Sequence, residues 1–353
     1  MQNESVLIAM SGGVDSSVAA LLIKQGGSRC AGAIMRLITD ALPLCGTAQG
    51  DDVSDARRIA DQLGIPFHIA DLSEEFRQCV VDYFVNTYLA GGTPNPCVEC
   101  NRTLKFGAFL NVARSLGYDK LATGHYARIE KDTNGRYQIK RARDDAKDQT
   151  YVLWQLSQEQ LSRTLLPLGD YTKEEIRVIA EENGFCNARR KDSQDICFIP
   201  DGDYVGFIER YTKQSFPCGN FIDLDGKVLG EHQGMLRYTV GQRKGLGIAF
   251  GKPTYVCAKS ASDNTVTLGE NADLFRRDLT AHAVNLVAVE RLDAPLRVQA
   301  KVRYAAKPAW ASVEQTDTDR IRLRFDEPQR AICPGQSVVL YDGDILIGGG
   351  VID

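Results

Sequence analysis

A chain of 353 residues with 43% hydrophobic and 25% charged residues is too long for one ordinary core and has the composition of a soluble protein of two or three domains. A net charge of −4 does not mark a nucleic-acid binder by itself, although a local basic patch is enough for phosphate contacts. No apolar run approaches the roughly 18 residues of a membrane span, and a glycine turn follows the first strand so early that no signal peptide fits before it. A cytoplasmic location with no membrane partner is expected. The ten cysteines lack the framework of a small secreted protein, so most are expected to be reduced, packed thiols.

The first element is an apolar strand at 6–10 that runs into Ser11-Gly12-Gly13, followed by a helical pattern with Val14, Val18, Leu21 and Leu22 on one face. A helix N-terminus entered through glycines is a natural anion site, because its free N–H groups and its dipole both favour negative charge. The spacing is neither Gly-x-x-x-x-Gly-Lys-Ser/Thr nor Gly-x-Gly-x-x-Gly. Further apolar runs at 30–35, 66–70 and 120–123 alternate with helical patterns to about residue 125. This alternation predicts an α/β fold, a Rossmann-like doubly wound parallel sheet with its ligand crevice at the strand C-termini. The loops expected to carry chemistry are residues 35–50 with Cys45, residues 91–101 read as a loop between two helices, and Thr123-Gly-His-Tyr-Ala127 after a strand.

Asn134-Gly135 between two short alternating runs predicts a hairpin. Arg141, Arg143 and Lys147 then cluster beside Asp148, Gln149 and Thr150, and helical segments continue to about Gly184. Cys197 follows the polar, partly basic stretch that begins at Arg189, surroundings that suit a reactive thiol of lowered pKa. Beyond Pro200, short alternating runs at 226–230, 235–240, 254–259 and 265–269 predict a small, mostly β module. Longer ones at 296–304, 309–315, 320–325, 337–341 and 345–351 predict a C-terminal β-barrel. The expected division is residues 1–204, 205–278 and 279–353.

Ser11-Gly-Gly-Val-Asp-Ser-Ser17 resembles the pyrophosphate (PP) loop of the N-type ATP pyrophosphatases, which cleave ATP to AMP and pyrophosphate while adenylating a substrate. The resemblance implies that ATP is bound there and that Asp15 lies near Mg²⁺. Three segments occur in the order found in the tRNA-specific 2-thiouridylase family: the PP loop, Thr93-Pro-Asn-Pro-Cys-Val-Glu-Cys-Asn101, and Asp192-Ser-Gln-Asp-Ile-Cys-Phe198. Thr123-Gly-His-Tyr-Ala127, Lys147-Asp-Gln-Thr-Tyr151, Tyr238-Thr-Val-Gly-Gln-Arg-Lys-Gly245 and Pro334-Gly-Gln336 are similar to the same family's signatures, so the resemblance spans the chain. It implies thiolation of the wobble uridine in tRNAs of the Lys, Glu and Gln type. ATP adenylates the C2 oxygen, and a cysteine persulfide supplies the sulfur.

By that resemblance Cys197 receives the persulfide and Cys100 is its partner thiol, releasing sulfide or closing a disulfide. ATP contacts fall to Ala9, Met10, Ser11, Gly12, Gly13, Val14, Asp15, Ser16, Ser17, Met35 and Gly124. The target base falls to Asn95, Pro96 and Cys97; other tRNA contacts fall to Lys147, Asp148, Gln149, Arg303 and Tyr304, with His125 and Gln336 supporting a flipped base. The implied partners are the tRNA anticodon stem-loop and a sulfur donor, a cysteine desulfurase or relay protein; a monomer is expected. Many members carry Asp, proposed as a general base, where this chain has Cys97. Cys97, Cys100 and Cys197 thereby become a possible ligand set for a 4Fe–4S cluster, an alternative route for sulfur. Two other readings stay open: a small-molecule adenylating ligase with the same loop, and a nucleotide-regulated RNA-binding module whose cysteines merely pack.

Overall fold

The computed structural model describes residues 4–38, 49–190, 196–248 and 251–353. Cys45 and the Asp192–Asp195 part of the third motif lie outside them. The chain divides into two units, one of Met1–Val80, Cys97–Gly202 and Asp344–Ile347, the other of Val81–Pro96, Asp203–Gly343 and Gly348–Asp353.

In the first unit, strands β1 (Ser5–Ala9), β2 (Arg29–Arg36), β3 (Phe67–Asp71), β4 (Lys120–Ala122) and β7 (Thr164–Leu165) form a sheet of order β3-β2-β1-β4-β7. Every pair in it is parallel. Buried on both faces, β1 reads as an apolar run rather than an alternation. Helix Val14–Gln25 places Val18 and Leu21 against Val6 and Ile8, and Ile59 and Ile176 come to the same core from helices Gln49–Leu63 and Lys173–Glu182. Each such side chain contributes about 1.5–3 kcal/mol on burial. The strand order reverses between β1 and β4, which is where an α/β sheet of this kind opens its crevice.

Strands β5 (Arg128–Lys131) and β6 (Tyr137–Lys140) make the hairpin that Asn134-Gly135 predicts. The Asp132 carboxylate accepts from the N–H groups of Asn134 and Arg136 across its turn. Residues 91–101, expected as a loop, are helical from Pro96 onward. Pro96–Glu99 form one α turn, with proline where its missing N–H costs nothing, and Cys100–Ala108 continue as a π-helix. Cys97 and Cys100 therefore stand on helix, not on loop.

The second unit holds two β structures. Strands β8 (Gly219–Ile222), β9 (Val228–His232), β10 (Tyr255–Ser260) and β11 (Thr265–Gly269) form a sheet of order β10-β11-β8-β9. The run at 235–240, expected as strand, starts instead as a 3₁₀ turn at Met235–Arg237, because Gly234 at φ +99° turns the chain and Tyr204 Oη donates to the Leu236 carbonyl. Strands β12 (Phe275–Leu286), β15 (Arg320–Arg330), β14 (Ala309–Asp317), β13 (Leu296–Lys301), β16 (Ser337–Asp342) and β17 (Ile345–Ile352) follow one another, and β12 pairs with β17 to close a six-stranded barrel. Its interior is the alternate set Ile321, Leu323 and Phe325 of β15 with Ala311 and Val313 of β14. Among the described residues no helix is long and apolar enough to cross a membrane.

Candidate functional site

At the C-terminal end of β1 the chain turns through Ser11-Gly12-Gly13 into helix Val14–Gln25. Gly12 sits at φ +73°, and a Cβ there would lie 2.7 Å from the Asp52 carbonyl oxygen; only glycine satisfies both conditions. Gly13 is the N-cap and has no side chain with which to cap the helix, so the first N–H groups are left to a ligand. Ser16 Oγ and Ser17 Oγ donate to the Gly13 carbonyl at 2.9 and 3.1 Å, and the Ser11 N–H donates to Ser16 Oγ. From behind, the buried Asn187 donates through Nδ2 to the Gly12 carbonyl at 2.8 Å and to Ser17 Oγ at 2.9 Å. The turn is thus held rigid before any nucleotide arrives.

Asp15 lies in the first turn of this helix. Lys173 Nζ donates to both of its carboxylate oxygens at 2.8 Å, and Tyr126 Oη donates to Oδ1 at 2.8 Å. The Lys173 side chain is 6% exposed and that of Asp15 is 30% exposed, so the pair is largely withdrawn from water with the carboxylate on its open side. Beyond β4, Gly124 passes so near the turn that a Cβ would lie 2.9 Å from Asp15 C and from Ser16 N. Ala9 ends β1 and Met35 lies near the end of β2, so both belong to the C-terminal edge of the sheet, while Met10 and Val14 are buried beneath the turn. The PP-loop, Gly124 and Met35 positions therefore collect at the switch point.

Beside the turn, Thr123 Oγ1 and His125 Nδ1 are 2.7 Å apart, and the Phe106 ring lies 5.7 Å from the imidazole. Burial, and then the Lys105 charge, hold the His125 pKa well below its usual 6.5, so the ring is neutral. A histidine buried neutral makes the unfolded chain the better proton acceptor below 6.5, so its contribution to stability is intact above that pH and falls away as the pH drops through it. We expect His125→Asn to flatten the loss of stability between pH 7 and 5 by up to about 1.4 kcal/mol per pH unit. Urea unfolding of both proteins at several pH values checks this, and parallel curves would refute it.

The three thiols of the second and third motifs, Cys97, Cys100 and Cys197, belong to this unit. Cys97 is exposed, Cys100 is buried and Cys197 is exposed. Phe198 packs on Phe76 at 5.5 Å and anchors the turn that carries Cys197. The expected lowered thiol pKa is not what the surroundings produce. Burial pushes Cys100 up to about 11 against the opposing pull of Lys105, and burial and then the neighbouring Cys100 and Cys97 push Cys197 up to about 12. Cys197 reaches solvent while protein and the two neighbouring thiols crowd its sulfur. The basic residues read from the sequence near Cys197 do not overcome this. The nine described cysteines are all free. Among the described residues no group of three or more His, Cys, Asp or Glu is arranged to hold a metal ion.

The expected tRNA-contact residues divide by environment. Asp148 is buried, accepting from the Ala142 N–H and from Thr150 Oγ1, and Gln149 accepts through Oε1 from the Tyr126 N–H. Their side chains therefore brace the hairpin exit and Tyr126, while Lys147 is half-buried. In the second unit Gln336 donates through Nε2 to the carbonyls of Thr93 and Pro94 at 3.0 Å, which ties it to the segment carrying Asn95 and Pro96. Arg303 and Tyr304 are exposed just after β13, and Lys301 Nζ lies 5.5 Å from the Tyr304 ring centroid. Sequence reasoning missed Lys173, Asn187, Tyr126 and Lys105. Tyr126 lay unremarked inside the Thr123–Ala127 motif, and the capping pattern Thr172-x-x-Glu175 places Lys173 at a helix start; Asn187 and Lys105 left no trace.

A doubly wound sheet with a Ser-Gly-Gly-x-Asp-Ser turn at its switch point defines a nucleotide-binding domain of the PP-loop class. Residues 4–201 match the family described as tRNA methyl transferase HUP domain, residues 205–270 the tRNA methyl transferase PRC-barrel domain, and residues 276–352 the aminomethyltransferase beta-barrel domain. The tRNA-specific 2-thiouridylase MnmA of Clostridioides difficile (strain 630) is 50% identical over 99% of this chain and 98% of that protein. Its counterpart in Acetivibrio thermocellus is 47% identical over 100% of both chains. The chain belongs to the tRNA-specific 2-thiouridylase (MnmA) family. Among solved structures, the U34-tRNA thiolase NcsA from Methanococcus maripaludis with its [4Fe-4S] cluster is 17% identical, with a TM-score of 0.37 over 60% of this chain and 68% of that one.

Proposed function

We propose that the protein is an ATP-dependent tRNA-uridine 2-sulfurtransferase acting on the wobble uridine of tRNAs of the Lys, Glu and Gln type. The observation that carries this reading is the presence of a phosphate-receiving turn and two electrostatically coupled thiols, Cys100 and Cys197, in one unit although they lie far apart in the chain. A uridine carbonyl oxygen is a poor leaving group, so it first attacks the α-phosphorus of ATP and becomes the AMP ester. Pyrophosphate departs into the N–H groups after Gly13. Mg²⁺, a hard cation that takes carboxylate and phosphate oxygens, would use Asp15 there and spread the charge of the leaving group. His125, neutral and buried, suits a contact with an uncharged base.

Sulfur arrives as a persulfide on Cys197. The Cys100 thiolate attacks Cys197 Sγ, the S–S bond of the persulfide breaks, hydrosulfide leaves and a Cys100–Cys197 disulfide forms. Hydrosulfide adds to C2, AMP departs, and its proton passes to solvent, giving 2-thiouridine. Two electrons from an external dithiol reopen the disulfide. In this reading residues 1–204 do the chemistry, the modules at 205–278 and 279–353 hold the tRNA, a cysteine desulfurase or relay protein supplies the sulfur, and the protein works as a cytoplasmic monomer.

The test is thiolation of a wobble-uridine tRNA with ATP, Mg²⁺ and a sulfide or desulfurase source, read as retardation in a mercury-containing gel. With the desulfurase source, Cys100→Ser and Cys197→Ser are expected to fall below about a thousandth of wild type, the scale set by losing a covalent nucleophile. Cys97→Ser is expected to stay within a few-fold. Thiolation that survives Cys197→Ser, or AMP formation on some other substrate with none on tRNA, would overturn the proposal.

A further inference from the structure

The helix that carries Cys100 is a π-helix over nine residues, Cys100–Ala108. In an α-helix, residues five apart point about 140° away from each other. In a π-helix the backbone bonds run from i to i+5, so residues five apart are axial neighbours on one side. Cys100 and Lys105 are such a pair. The adjoining Phe106 meets the His125 ring at 5.7 Å, so this stretch of helix abuts the turn after β4. Arg102, on the same helix, is bound by the Glu99 carboxylate. Lys105 is different: it is half-buried and, among the described residues, its ammonium makes no hydrogen bond or ion pair. Its charge is felt at Cys100, at Cys197 and at His125. A half-buried ammonium on the same side of the helix as a thiol favours negative charge on that sulfur.

We propose that Lys105 is the positioning cation of the sulfur-transfer site, held over Cys100 by the π-helix to offset the negative charge that moves from sulfur to sulfur during transfer. This deepens the persulfide reading and rests on it. As the Cys100 thiolate attacks Cys197 Sγ and hydrosulfide is expelled, one negative charge passes from the attacking sulfur to the leaving one. The oxidation of two thiols to a disulfide balances reduction of the sulfane sulfur to hydrosulfide. An ammonium on the Cys100 side of the helix, whose charge also acts at Cys197, stabilises that charge. It also works against the burial that keeps the resting thiols protonated.

Lys105→Met keeps the length of the side chain and removes its charge; Lys105→Arg restores the charge. In nucleotide-free protein we expect the pH profile of Cys197 alkylation by iodoacetamide, read by mass spectrometry, to move up by about one pH unit in Lys105→Met, a tenfold loss of rate at fixed pH. Most of it should return in Lys105→Arg. Alkylation of the exposed Cys186 and Cys218 is the internal control for intact folding and is expected to be unchanged. In a single turnover, thiolation by Lys105→Met should fall about tenfold while AMP formation stays within about twofold. Superimposable Cys197 profiles in wild type and Lys105→Met would overturn the proposal. A shifted profile in a protein that never thiolates tRNA would leave the cation in place and overturn the functional reading instead.

Discussion

Gly124→Ala is expected to lower ATP-dependent AMP formation by about a hundredfold while leaving the protein folded. The added Cβ would lie 2.9 Å from Asp15 C and 2.9 Å from Ser16 N, both backbone atoms, with Asp15 Cβ at 3.2 Å. A flexible side chain could swing clear of it; a helix N-terminus pinned by Asn187, Ser16 and Ser17 cannot. The turn or the strand end must therefore yield by several tenths of an ångström. The phosphate-binding N–H groups move with it, and misplacement on that scale costs up to about a hundredfold in an oriented reaction. Gly124 is not in the left-handed region, so backbone strain does not add to the effect. Gly12→Ala is a poorer probe, because its positive φ and its approach to Asp52 would unsettle folding as well. The experiment is the rate of AMP release from labelled ATP in the presence of tRNA, paired with a thermal melt. A variant that melts with wild type and releases AMP at the wild-type rate would show that the turn does not need the space that glycine leaves.

How much of this was legible before the coordinates differs from residue to residue, for physical reasons. The PP-loop turn was readable because its requirements are local: an apolar strand, glycines where no Cβ fits, then a helical period starting at Val14. The parallel sheet was readable for the same reason, β1, β2 and β4 being buried enough to read as apolar runs, while the edge strand β3 keeps its apolar residues with only Ala70 buried. The short β7 and the long β12 were not. β12 carries register shifts between Arg276 and Asp278 and between His282 and Asn285, and Ala283 sits at φ +50°, so no period of two survives along it. The π-helix was invisible because propensity does not distinguish i to i+4 from i to i+5 bonding, and the prolines at 94 and 96 argued for a loop. Lys173 and Asn187 reach the PP-loop turn from more than 150 residues away in sequence, a distance over which spacing carries no signal. The thiol expectation failed on a similar point: charges adjacent in sequence near Cys197 were weighed, whereas burial by distant segments decides the direction of the shift.

The second large effect is expected at the Asp15–Lys173 pair. In nucleotide-free protein Asp15→Asn should cost about 3 kcal/mol of stability, because it leaves an ammonium with 6% of its side chain exposed facing an amide. The lower end of the usual 3–5 kcal/mol for a broken buried pair applies, since the Asp15 side chain is 30% exposed and water can partly replace it. Lys173→Met should cost less, because the orphaned carboxylate keeps the Tyr126 hydroxyl at 2.8 Å and its open side. The double variant D15N/K173M should then be more stable than D15N alone. That reversal distinguishes an interacting pair from two independent side chains, and a coupling of about 1–3 kcal/mol is the range for groups in one network. Function should not follow stability. D15N and K173M should both lose AMP formation, but the double variant should regain stability without regaining activity, since neither the carboxylate that would face a metal ion nor the ammonium that holds it in place is restored. Urea unfolding of the four proteins without nucleotide, and AMP release from each, give the complete cycle. Additive losses of stability would mean that the 2.8 Å contacts between Lys173 and Asp15 contribute nothing beyond what each side chain gives alone.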